Sequence, residues 1–212
     1  MFEAKISDVT VVRDALATVS SIITEGTFEL GENGITLVAM DPASVAMVSF
    51  NLLSSVFDEY SVKKPTKMTL NIDYFVQILK RATATDKVSF KLTENKLNIT
   101  MEGTSKRSFS VPLIDEVVKE QKVPDLSFKC EVQIEAGVIK DAVRDAAMVS
   151  DAVSMMAKSN SFSMFAKADS SDAKMELTKD SPSLIAISCD GDCRAKYSVD
   201  YLEKMIKAAK VA

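Results

Sequence analysis

Residues 111–126 read VPLIDEVVKEQKVPDL. The middle is charged and polar (Asp115, Glu116, Lys119, Glu120, Gln121, Lys122), Pro112 and Pro124 bracket it, and no helical or strand period runs through it. Proline has no backbone donor and biases the residue before it toward extended conformations, so the stretch reads as an extended connector. It decides the fold because the chain on either side of it follows one plan. Val12-Arg13-Asp14-Ala15-Leu16 falls on Ile139-Lys140-Asp141-Ala142-Val143, an offset of 127 residues. The same offset sets Asn33-Gly34-Ile35-Thr36-Leu37 on Asn160-Ser161-Phe162-Ser163-Met164, and Asn71-Ile72-Asp73-Tyr74-Phe75 on Ser198-Val199-Asp200-Tyr201-Leu202. Identity is low, but apolar positions fall on apolar positions without gaps, which favours duplication over chance. The expected organisation is a first domain at 1–115, a connecting loop at 116–126 and a second domain at 127–212. The second copy is incomplete: the partner of Asp86 would be position 213, so either this domain lacks about three strands or the sequence is a truncated form.

The 212 residues suffice for two domains of about 100 residues each. An apolar content of 47% with 26% charged residues is that of an ordinary globular protein. No apolar run approaches the ~20 residues of a membrane span, and MFEAKISDVT has no signal-peptide pattern, so an intracellular protein is expected. Three cysteines cannot all pair internally and fit a reducing compartment. The net charge of −4 means that any nucleic-acid contact needs a local concentration of cations.

In the first copy, residues 2–6 alternate as a strand. Ser7 or Asp8 is placed to cap a helix carrying Val9, Val12, Ala15, Leu16, Val19, Ile22 and Ile23 on one face. Residues 27–30 and 34–40 form a predicted hairpin turning at Glu32-Asn33-Gly34. Strands follow at 45–52, 57–62 and 67–71, then a helix at 72–82, then strands at 87–92, 96–102 and 107–111. The second copy gives strands at 128–134, 154–157, 162–168, 172–179, 184–189 and 195–198, with helices at 136–149 and 199–209 and a turn at Asn160-Ser161. Helices followed by runs of antiparallel strands make an α+β fold of two similar domains, each with two helices packed on antiparallel sheets.

Motifs for chemistry are scarce. The chain has no histidine, which removes the commonest general base and metal ligand, and its six single glycines write no phosphate loop. Cys189-Asp190-Gly191-Asp192-Cys193 has metal-like spacing but lacks further zinc-type ligands; two incidental thiols at a turn is the favoured reading. Asp41 and Asp58 are isolated acids suited to turns or caps. No enzyme, metal or cofactor is expected. The charges are more informative. Lys140 and Arg144 share a helix face beside a stripe of Asp141 and Asp145; Lys204, Lys207 and Lys210 lie along another helix; Lys80 and Arg81 end a third, and Arg13 lies on the first. Cations near helix C-termini also suit the helix dipole, and charged faces are commonly only solvated. If the helices line one surface, the pattern favours weak, sequence-blind contact with phosphates.

Several segments, in order and spacing, resemble the proliferating cell nuclear antigen family of sliding clamps, in its archaeal versions: MFEAKI, LVAMDPASVAMVSFNL, NIDYFVQILKRA, KRSFSVPLID and DAVRDAAMVSDAV. The resemblance runs along the whole chain, and family chains continue for a further three to four dozen residues. It implies a DNA polymerase processivity factor whose three subunits close head-to-tail into a ring around duplex DNA. All helices would line the hole, making Arg13, Lys80, Arg81, Lys140, Arg144, Lys204, Lys207 and Lys210 candidate phosphate contacts. At the subunit seam, the strand around Lys106, Arg107 and Phe109 would pair with the neighbouring subunit's strand around Met175 and Leu177. Arg81 and Arg107 would there meet Asp141 and Asp145. DNA polymerase, clamp loader, flap endonuclease and DNA ligase would dock short peptides into a pocket of Met40, Ser44, Val45, Met47, Val123, Pro124 and Leu126. The location implied is cytoplasmic for an archaeal-type clamp and nuclear for a eukaryotic one. A specialised clamp subunit and a protein-only scaffold that does not encircle DNA are the alternative readings.

Overall fold

The computed structural model describes residues 2–115 and 121–210, the side chain of Lys210 excepted. It divides into two compact units, one ending at Val123 and the other starting at Pro124. The first unit contains β1 (Phe2–Ile6), α1 (Thr10–Ser20), β2 (Glu25–Gly31), β3 (Gly34–Met40), β4 (Met47–Leu53), β5 (Glu59–Val62), β6 (Thr66–Asn71), α2 (Ile72–Leu79), β7 (Lys87–Leu92), β8 (Lys96–Glu102) and β9 (Lys106–Pro112). Its strands form two antiparallel sheets, ordered β5-β1-β7-β8-β9 and β4-β3-β2-β6. The two helices lie side by side.

Alternation builds the core. Phe2, Ala4 and Ile6 of β1, Phe28 and Leu30 of β2, and Leu97, Ile99 and Met101 of β8 are buried at every second position. From the helices, Val12, Leu16 and Val19 of α1 and Ile72, Phe75, Val76 and Leu79 of α2 enter the same cluster. The Asp8 carboxylate accepts the Thr10 amide at 2.9 Å at the start of α1, and the Asn71 side chain accepts the Tyr74 amide at 2.8 Å at the start of α2. Both helices end earlier than periodicity predicts. The Ser20 and Ser21 hydroxyls donate to the carbonyls of Ala17 and Thr18, offering the backbone of α1 an alternative to its ladder. In α2, the Arg81 amide bonds to Ile78 three residues back, so the last turn tightens beyond Leu79.

The second unit contains β10 (Cys130–Ile134), α3 (Ala136–Ala147), β11 (Ala152–Lys158), β12 (Ser161–Lys167), β13 (Asp172–Thr178), β14 (Leu184–Cys189), β15 (Cys193–Ser198), α4 (Val199–Met205) and a 3-10 turn at Ile206–Lys210 that replaces the last part of the predicted 199–209 helix. Its larger sheet runs β13-β12-β11-β15, and β10 pairs with β14. The sequence offset of 127 carries β2, β3 and β6 onto β11, β12 and β15 residue for residue, and β4-β3-β2-β6 becomes β13-β12-β11-β15. The repeat is not gapless, however. The loop at 41–46 has a shorter counterpart at 168–171, which puts β13 two residues ahead of the offset. β14 is longer than β5, the β10–β14 register shifts between Gln133 and Ile134, and the offset is restored at β15.

The hairpin turns also correct the predictions. Gly31 pairs with Gly34, so Glu32-Asn33 is the β2–β3 turn and Gly34 opens β3; Lys158 pairs with Ser161, so Ser159-Asn160 is the β11–β12 turn. Gly34 is required for a reason other than the turn. It has φ +146°, and a Cβ there would lie 2.1 Å from the Leu52 carbonyl oxygen of β4. The Tyr60 hydroxyl lies 2.8 Å from the carbonyl oxygens of both Gly31 and Gly34, tying the hairpin to β5, and burial pushes its pKa up to about 12. Replacing Gly34 by Ala is expected to cost about 3 kcal/mol of stability, as backbone strain and a clash with main chain add. Gly137→Ala in α3, where a Cβ meets nothing within 4 Å, is expected to be neutral or stabilising by up to about 1 kcal/mol. Chemical denaturation of the two variants checks the contrast.

Candidate nucleic-acid and partner interfaces

The candidate cations lie on or just beyond the helices. In the second unit, α3 and α4 pack against each other, and a groove between them is lined by Lys140, Arg144, Lys204 and Lys207, with Asp200 and Glu203. These cations come from two segments 60 residues apart, so it is the helix packing that assembles them. The backbone of Lys210 ends the 3-10 turn, but its side chain lies outside the described residues. In the first unit, Lys80 caps the C-terminus of α2, Arg81 follows it, and both are exposed. Arg13 on α1 is half-buried.

Sequence spacing did not reveal how these charges are partnered. Arg13 pairs with Asp14 at 2.8 Å, Lys204 with Asp200 at 2.6 Å, and Arg144 reaches Asp141 at 3.9 Å. The Lys204 ammonium also sits 5.2 Å from the Tyr201 ring centre. Among the described residues no ion pair engages Lys80, Arg81, Lys140 or Lys207, so these present uncompensated charge.

The proposed seam strands are both sheet edges. β9 ends one sheet and β13 ends another, each with one side unpaired among the described residues. α2 packs beside β9, which puts Arg81 at that edge; α3, carrying the exposed Asp141 and Asp145, packs beside β13. Arg81 thus lies by the β9 edge, and α3 brings Asp141 and Asp145, together with Lys140 and Arg144, beside β13. Phe109, Met175 and Leu177 face the cores of their own units, so what they offer at an edge is mainly backbone. Lys106 is exposed and pairs with Glu102 at 2.7 Å. Arg107 is committed within the first unit: its guanidinium pairs with buried Asp86 and donates to the Arg81 carbonyl at 2.9 Å. Asp86 also accepts the Thr83 amide at 2.7 Å and the Thr83 hydroxyl at 2.9 Å. These Thr83 bonds, with the Arg107 guanidinium beside them, hold the Asp86 carboxyl below its usual range.

The expected docking residues on the first unit surround a loop organised by one carboxylate. Asp41 is 4% exposed. One of its oxygens accepts the amides of Val45 and Ala46 at 2.6 and 2.7 Å, and the other accepts Ala43 at 2.9 Å. Ser44 takes φ +56°, and the loop turns Ala46 inward while leaving Val45 66% exposed. Met40 and Met47 are register partners of β3 and β4 and are half-buried, so the loop between them presents Ser44 and Val45. On the connector, Val123, Pro124 and Leu126 are exposed and belong to no helix or strand, while residues 116–120 lie outside the described residues. The start of the connector is fixed by Leu113 and Ile114 amides bonding to Asn95 and Thr69. Among the described residues, no group of three or more Cys, Asp or Glu side chains has metal-binding geometry, and no helix is long and apolar enough to cross a membrane.

Residues 1–120 match the family described as proliferating cell nuclear antigen, N-terminal domain. A curated protein named DNA polymerase sliding clamp 1, from Thermococcus kodakarensis, is 38% identical over 195 residues, spanning 92% of this chain and 78% of that one. The DNA polymerase sliding clamp of Pyrococcus furiosus is 39% identical over 191 residues, 90% of this chain and 77% of its own. A crystal structure of PCNA from Thermococcus kodakaraensis superposes with a TM-score of 0.91 at 28% identity, covering 98% of this chain and 85% of that one.

Two outcomes test the anchors. Asp41→Ala leaves three backbone donors without their acceptor; it is expected to cost about 2–3 kcal/mol and to raise amide exchange at residues 43–46, measured by hydrogen–deuterium exchange. Because the folded pKa of Asp86 lies below its unfolded value, its contribution is present above the unfolded pKa of about 3.9 and lost as pH falls through the folded one. Asp86→Asn should thus lower Tm at pH 7 and show a smaller further drop than the parent protein between pH 4 and pH 2, followed by calorimetry.

Proposed function

The chain belongs to the proliferating cell nuclear antigen family, and on that footing we propose that it is a DNA polymerase sliding clamp whose copies join head-to-tail into a ring around duplex DNA. The observation that supports the ring is the pair of unpaired edges, β9 beside cationic Arg81 and β13 beside anionic Asp141 and Asp145. Such edges suit a heterologous contact: backbone pairing supplies the join, opposite charge supplies orientation, and three copies close it as a homotrimer. The protein carries out no chemistry. It tethers polymerase, clamp loader, flap endonuclease and ligase through short peptides docked at the Asp41 loop and the connector, in the cytoplasm of an archaeal-type cell.

Enclosure makes strong DNA affinity unnecessary. Lys140, Arg144, Lys204 and Lys207 need only bias the position of the duplex, and contacts to phosphate alone carry no sequence preference. The Arg107 guanidinium, being tied to Asp86, supports the β9 edge from inside its own subunit, which leaves Arg81 as the residue to meet Asp141 or Asp145 of the neighbour.

The test is a Lys140→Glu, Arg144→Glu double variant. It should keep the oligomer size of the parent, weaken clamp-stimulated synthesis at moderate salt, and reduce the slope of log affinity against log salt by roughly 2, as two phosphate contacts are lost. Undiminished stimulation would remove these two residues from the DNA-facing surface. Retention after loading on circular but not linear DNA tests encirclement itself.

A further inference from the structure

The three cysteines, spread over 64 positions of sequence, meet in one place. Cys130 lies on β10, Cys189 ends β14 and Cys193 begins β15. Cys130 and Cys189 are direct partners in the β10–β14 register. The Asp190 amide donates to the Lys129 carbonyl at 2.7 Å, which makes 129 and 190 the hydrogen-bonded pair and 130 and 189 the adjoining non-hydrogen-bonded pair. At such positions the Cα atoms stand about 4.5 Å apart with side chains on one face, inside the roughly 4.4–6.8 Å span that a disulfide bridges. The third thiol is brought back by the turn 190–192, where Gly191 takes φ +85°. The Cys130 and Cys193 sulfurs both point at the Gly191 carbonyl oxygen, at 3.6 and 3.8 Å. All three thiols are free and half-exposed.

We infer that Cys130 and Cys189 form a reversible cross-strand disulfide when the protein meets an oxidised low-molecular-weight thiol, with Cys193 as a neighbouring exchange thiol. The sequence alone favours incidental thiols for the Cys189–Cys193 pair; the strand register adds Cys130 and changes that reading. The reaction balances as two exchange steps. The Cys130 thiolate attacks one sulfur of the small disulfide, forming a mixed disulfide and releasing one small thiolate. The Cys189 thiolate then attacks the Cys130 sulfur, releasing the second small thiolate. The two protons lost by the protein are taken up by the two small thiolates, and the small disulfide is reduced to two thiols. The product clips β10 to β14 and closes a loop through most of the second unit. Burial, with the Cys189 thiol beside it, holds Cys130 above the usual thiol range, and the Cys130 thiol, with burial, does the same for Cys193, so the reaction is slow at neutral pH and accelerates as pH rises.

The test is incubation of the full chain with oxidised glutathione at pH 7 and pH 9, acid quenching, and intact-mass and peptide mapping without reductant. The expected result is loss of two hydrogens from the intact mass, a peptide pair joined through Cys130 and Cys189, faster formation at pH 9 and reversal by dithiothreitol. Cys193→Ser should retain the same link, and Cys189→Ser should not form it. Glutathione adducts on separate cysteines with no internal link in the parent protein, or a link in the Cys189→Ser variant that matches the parent in rate and yield, would overturn the assignment. Because the parent protein and Cys193→Ser both report on the link, misfolding of one variant leaves the question decidable.

Discussion

The helices of this protein cannot stand alone. At 11, 8, 12 and 7 residues, α1 to α4 lie at or below the length at which an isolated helix is marginal in water. They persist because Leu16, Val19, Phe75 and Leu79 in one unit, and Ala142, Val143, Ala146 and Val199 in the other, are buried against the sheets. A helix held by one face must show the other to solvent. The charged surface is therefore a by-product of the constraint that makes the helices exist, and the close packing of α3 on α4 turns two sparse stripes into one cationic groove.

This constraint also explains how much could be read from the sequence. Strands β1, β3, β7, β8 and β14 have the predicted ends, since alternation records which side faces the core. Helix ends were misplaced because they are decided by local hydrogen bonds from Ser20, Ser21 and the residues after Leu79, which leave the apolar period untouched. Among the candidate site residues, the cations were legible one helix at a time. Their intrahelical carboxylate partners were adjacent in sequence yet ambiguous, since Asp14, Asp141 and Asp200 fit a solvated face equally well. The Asp86–Arg107 pair was not legible at all, because it spans two elements that only the sheet brings together.

The two units share a plan but not a surface. Duplication preserves what the core requires, the strand order and the helix faces, and leaves loops free to change because they lie outside it. The loop after β3 shows this. Its six residues close around the Asp41 carboxylate, which accepts three amides and lifts Val45 out. The shorter loop at 168–171 closes with a backbone bond from Ala168 to Ser171. A buried carboxylate with three donors is a rigid support, so the apolar residue it presents is held in place in advance, which would lower the ordering cost if a peptide docks there as proposed.

The internal pairing of the cations bears on sliding. A strongly cationic surface would hold phosphates tightly and resist movement along the duplex. Here Arg13, Arg144 and Lys204 each have a carboxylate of their own helix within reach. An exposed pair such as Arg144–Asp141 is worth only about 0–1 kcal/mol, so exchanging its carboxylate for a phosphate changes the energy little in either direction. If these helices face DNA as proposed, each of these side chains would leave its own acid for a passing phosphate and return at small cost, while Lys80, Lys140 and Lys207, which no ion pair engages among the described residues, would supply the steadier attraction. In the ring proposed above, such near-balanced exchanges would hold the duplex without giving it a preferred resting place.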